Sequence, residues 1–90
     1  MIIECLDELV NSDLDFGVLR KDRIKYYINN FNEEQLSFIL SNNGLVAHDI
    51  YIYFYPGIGF RCLNDDRVTG KLPICNILQN RLNKKYQELL

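Results

Sequence analysis

One histidine, three cysteines without Cys-x-x-Cys spacing, no long apolar run and no excess of basic residues mark this chain from the outset. Each shortage closes off a chemistry. Ten Lys and Arg stand against twelve Asp and Glu, a formal net charge of -2, so the strongly basic surface that releases counterions from nucleic acid is missing. Cys5, Cys62 and Cys75 are odd in number and unpatterned; they read as reduced thiols, not as a disulfide framework or a zinc site. A catalytic or metal centre built on histidine rests on His48 alone. No segment approaches the roughly eighteen apolar residues of a membrane span, and the first ten residues lack the basic start and long apolar stretch of a signal peptide. A cytoplasmic protein without membrane contact is therefore expected. A phosphate loop needs strand, glycine turn and Lys-Ser/Thr opening a helix, whereas Gly70-Lys71 is followed by Leu72-Pro73. Asp65 and Asp66 lack the regular alternation of oxygen ligands of an EF-hand loop. The sequence calls for no cofactor and no metal.

What is present suffices for one small domain, residues 1–90, since 48% of its residues are apolar and a second core would need more chain. Ile2, Ile3, Leu6, Leu9 and Val10 fall at helical spacing opposite Glu4, Asp7 and Glu8, which predicts a first helix of about ten residues. After the turn residues Ser12 to Gly17, Leu19, Ile24, Tyr27, Ile28 and Phe31 supply the stripe of a second helix, from Val18 or Arg20 to Asn30. Asn32 with Gln35 three positions on has capping-box spacing and predicts a third helix over residues 33–41, stopped by Asn42-Asn43-Gly44. From Leu45 the period becomes two and runs to Tyr55, the mark of a strand. Pro56-Gly57-Ile58-Gly59 then predicts a type II′ hairpin whose return strand pairs Tyr55 with Phe60 and Tyr53 with Cys62. A polar loop from Asn64 to Leu72 leads to Pro73, suited to the first turn of a closing helix over residues 74–89. The fold class is α+β: three N-terminal helices, an antiparallel β-hairpin and a C-terminal helix.

Two surfaces are candidates for function. In the expected register Tyr51, Tyr53, Tyr55 and Phe60, with Cys62, share one face of the hairpin, and Ile50, Ile52, Phe54 and Leu63 share the other. Helices can cover both faces. Alternatively the Ile face makes the core and the tyrosine face is offered to a partner, because tyrosine gives large, rigid contact area with a polar tip. Unpaired edges of a two-stranded sheet also invite a strand from a partner or a second copy, so a homodimer is admitted. The second surface is the helix bearing Arg20, Lys21, Arg23 and Lys25 beside Tyr26 and Tyr27, which would set cations against phosphates and rings against bases. The acidic balance makes nucleic acid the lesser expectation. Acidic residues crowd positions 4–15 and basic ones positions 20–25 and 81–85, so an electrically two-sided molecule is expected. A Cys62–His48 dyad is disfavoured, since Tyr53 is the expected partner of Cys62.

The run from Asp49 to Tyr55-Pro56 resembles the Tyr-Tyr-Pro segment that follows an acidic residue in small immunity proteins of nuclease bacteriocins. Those proteins are all helical and this segment alternates as a strand, so membership is not claimed. The expected function is non-enzymatic: a small acidic protein that docks on another protein, as an inhibitor or immunity-type factor of phage or bacterial origin. The alternative is a nucleic-acid-binding or regulatory module using the basic helix.

Overall fold

The computed structural model describes residues 1–14, 20–64 and 72–90, the side chains of residues 72 and 73 excepted. The expectations placed on Asp15 to Leu19 and on the Asp65–Lys71 loop lie outside these residues. Four helices and three strands follow one another: α1 (Ile2–Asn11), α2 (Lys21–Asn30), α3 (Glu33–Asn42), β1 (Leu45–Ala47), β2 (Ile50–Tyr55), β3 (Gly59–Asn64) and α4 (Leu72–Leu89). The α+β class holds, and the sheet has one strand more than a hairpin, in the antiparallel order β1-β2-β3.

Local chemistry explains the boundaries. Before α3, Asn32 Oδ1 accepts from the Gln35 N–H at 2.9 Å and Gln35 Oε1 accepts from the Asn32 N–H at 3.0 Å, the reciprocal capping box that the spacing called for. At its far end Gly44 takes φ +74° and its N–H returns to the Ile39 carbonyl at 2.9 Å, a left-handed stop that glycine adopts without strain.

The single strand expected over residues 45–55 is broken at its middle. His48 sits at φ +63°, and the chain reverses so that Ala47 pairs with Ile50, Val46 with Tyr51 and Leu45 with Ile52. Only the first residue of this two-residue turn has positive φ, the sign pattern of a type II′ hairpin. The two-residue turn shifts the alternation by one position, so Leu45 and Ala47, and not Val46 and His48, share the buried face with Ile50 and Ile52.

The second hairpin differs from expectation by one residue. Tyr55 pairs with Gly59, Phe54 with Phe60, Tyr53 with Arg61, Ile52 with Cys62 and Tyr51 with Leu63. Pro56 and Gly57, the latter at φ +82°, take the central positions of a turn closed by Ile58 N–H to the Tyr55 carbonyl at 2.9 Å, the residue pattern of type II rather than II′. The loop thus holds three residues instead of four. Such a slip carries every side chain of the return strand to the opposite face, so Phe60 and Cys62 enter the core and Arg61 and Leu63 join the tyrosines.

The core lies between the Ile50–Ile52–Phe54–Phe60–Cys62 face and one layer of helices, with α2 against β1, α3 against β2 and α4 against β3. α1 closes the structure from beneath, packed on the other three helices. Among the described residues no polar side chain is fully buried, as a stable apolar interior requires.

Candidate functional site

On the other face of the sheet the described side chains are only partly covered. Along β2 the burial alternates strictly, with Ile50, Ile52 and Phe54 buried while Tyr51 and Tyr53 are half-buried and Tyr55 is exposed. Across the strands Val46, Tyr51 and Leu63 form one row and Tyr53 and Arg61 the next. Leu63, near the end of the edge strand β3, is 55% exposed, and Tyr55, at the end of β2, is 37% exposed. The tyrosine face is therefore open, although its membership differs from the sequence reading. Phe60 was expected beside Tyr55, but it is fully buried against Phe54 and Tyr86, ring centroids 4.9 and 6.2 Å away. Arg61 and Leu63 take its place.

Backbone and ring contacts position Tyr53 and Tyr55. The rings of Tyr53 and Tyr55, two residues apart on one strand, stack with planes 7° apart and centroids 6.3 Å apart. Tyr53 lies over Gly44, where an added Cβ would stand 3.0 Å from the ring, so this glycine both ends α3 and seats the tyrosine. The Ser41 hydroxyl donates to the Phe54 carbonyl at 2.7 Å, tying α3 to the strand that carries the three tyrosines. Rings held this way lose little freedom on binding, which favours affinity. Arg61, opposite Tyr53 in the ladder, donates to the Phe60 carbonyl at 3.1 Å.

The basic helix does not form a comparable site. Arg20 pairs with Asp22 at 3.4 Å, both exposed, and Lys21 donates to the Ser12 carbonyl at 2.5 Å, leaving Arg23 and Lys25 as exposed cations on α2. Nor are acid and base segregated to two sides. α1 and α4 pack together, and Lys85 meets Glu8 at 3.4 Å, so the acidic first helix and basic last helix offset each other.

His48 and Cys62 are not brought together. His48 is exposed at the β1–β2 turn with Nδ1 2.9 Å from the Asp49 carboxylate. Cys62 points into the core, where its N–H donates to Gln79 Oε1 at 3.0 Å and its thiol neighbours Cys75. Burial, with Cys75 beside it, pushes the Cys62 thiol well up from its ordinary value, which suppresses the thiolate a nucleophile needs. Among the described residues no three His, Cys, Asp or Glu side chains cluster as metal ligands would.

A second apolar surface escaped the sequence reading. Phe31, Glu34, Gln35, Phe38 and Ile39 line an open depression of about 340 Å³, with Phe38 67% exposed and Tyr26 packed against Phe31. The available signal was Phe38 itself, a large apolar residue off the Leu36–Ile39–Leu40 stripe of α3.

Comparison of the chain with protein-family models, with curated proteins and with solved structures finds no match. The site and the fold thus define the class on their own: a three-stranded antiparallel sheet backed by helices on one face and presenting tyrosines on the other.

Proposed function

We propose that this protein works by docking on another protein through the tyrosine face, in the manner of an inhibitor or immunity-type factor, and that Tyr51, Tyr53 and Tyr55 are its main contacts, flanked by Arg61 and Leu63. The observation that carries the reading is the partly open face of three tyrosines, with Tyr53 stacked on Tyr55 and seated on Gly44, where a free-standing sheet would place polar groups. Preordered aromatics of this kind anchor interfaces and contribute about 2 kcal/mol or more apiece when central. The single histidine, paired with its sequence neighbour in a turn, adds no catalytic constellation.

The test is affinity capture from native extract, with and without nuclease, using wild-type protein and a Tyr51→Ser/Tyr53→Ser/Tyr55→Ser variant shown to be folded. Protein partners that survive nuclease and vanish with the variant support the proposal. Partners lost on nuclease treatment, or retained by the variant, turn attention to nucleic acid and the α2 cations or to the Phe31–Phe38 depression.

A further inference from the structure

β3 is an edge strand, and in an edge strand alternate residues turn their N–H and C=O away from the sheet, a template for strand addition. In β3 those residues are Phe60, Cys62 and Asn64, and the first two are met by side chains of α4. Asn83 Oδ1 accepts from the Phe60 N–H at 2.7 Å and Asn83 Nδ2 donates to the Phe60 carbonyl at 3.0 Å. One turn earlier on α4, Gln79 Oε1 accepts from the Cys62 N–H at 3.0 Å. The Asn83 amide thus makes both bonds that a paired residue in an antiparallel ladder would make. Spacing permits the match, because four residues of helix advance about 6 Å and two residues of strand about 6.7 Å. Gly59 makes room for it: a Cβ there would stand 2.6 Å from Asn83 Oδ1.

We propose that Gln79 and Asn83 are edge guards, standing in for a fourth strand, and that the occupant they exclude is the β3 of a second copy of this chain. α4 cannot withdraw, since Cys75, Leu78, Leu82 and Tyr86 belong to the core. Arg61 adds a second barrier. In the antiparallel register that sets Phe60 of one copy opposite Cys62 of the other, the two Arg61 side chains face each other, and like charges directly opposite destabilise a strand pair. The inference is independent of the tyrosine-face reading, because a closed β3 edge is compatible with any partner on the sheet face.

The experiment compares the wild-type chain with Gln79→Ala/Asn83→Ala by sedimentation from micromolar to near-millimolar concentration. The double variant is expected to gain a concentration-dependent dimer that the wild type lacks, and adding Arg61→Thr is expected to tighten that dimer by about tenfold. A folded double variant with the wild-type mass distribution throughout overturns the proposal. If the double variant does not fold, Asn83→Ala alone decides by mass and amide exchange together. A dimer in which the Phe60 amide stays protected supports the guard role. A monomer whose Phe60 amide exchanges at least tenfold faster than in the wild type shows an opened edge that attracts nothing, and overturns it.

Discussion

Glu33 stands first in α3, yet its carboxylate serves the start of α1. It accepts from the Met1 ammonium at 2.7 Å, from the Ile2 N–H at 3.0 Å and from the Ile3 N–H at 2.8 Å, satisfying donors that a helix start leaves unpaired. Burial pushes its pKa up, but these bonds outweigh burial and hold it below the ordinary 4.5. A carboxylate with a depressed pKa contributes stability in full above its unfolded value and loses it as pH falls through the folded one. Thermal unfolding of Glu33→Gln is therefore expected to show a lower midpoint than the wild type near pH 7, with the gap narrowing as pH drops below 4.5. A gap that stays constant into acid would remove the carboxylate from the account. The cysteines give a second prediction at this scale. Cys5, Cys62 and Cys75 are free and buried, and burial pushes the Cys5 thiol up to about 11. Alkylation of the native protein at pH 8 should be slow at all three sites and rapid after denaturation, since the thiolate is the reactive form; fast native labelling of Cys62 would mean that β3 and α4 part readily.

Gly59 shows how one position fixes an element. Its φ of +123° lies where side chains are strained, and Asn83 occupies the space a Cβ needs. Gly59→Ala is expected to cost about 1–3 kcal/mol by chemical unfolding and to speed exchange of the Phe60 amide; a neutral substitution would show that the turn and the Asn83 bonds adapt freely. The same turn marks where the sequence ceased to be legible. The helices were readable because each carries its own signal: Asn32 and Gln35 start α3, Gly44 stops it, and Ile2, Leu6, Leu9 and Val10 stripe α1. The hairpins were not, because their register depends on loop length. Pro56-Gly57 suits more than one turn, and a three-residue loop instead of four moved Phe60 off the tyrosine face and put Arg61 and Leu63 on it. The His48–Asp49 reversal was hidden for a similar reason, since nothing in His48 announces positive φ as a glycine would. The tyrosine set itself survived these errors, because all three rings lie on one uninterrupted strand.

In the whole molecule, one layer of helices packs on one face of the sheet. No helix among the described residues is long and apolar enough to cross a membrane. Glu8 of α1 meets Lys85 of α4, and side-chain amides of α4 engage Phe60 and Cys62 of β3. What remains presented among the described residues, besides the Phe31–Phe38 depression, is the surface of Tyr51, Tyr53, Tyr55, Arg61 and Leu63. If that surface is for docking, its rings should matter little to folding, whereas their neighbours on the same strand should matter a great deal. Thermal and chemical unfolding of Tyr53→Ala and Ile52→Ala make the comparison across a single peptide bond. Ile52 is fully buried, and its truncation is expected to cost about 2–5 kcal/mol, a large part of the stability of so small a domain. Tyr53 is half-buried, over Gly44 and beside Tyr55, and its truncation is expected to cost about 1 kcal/mol. Equal, large losses for the two variants would contradict the open face and with it the docking surface.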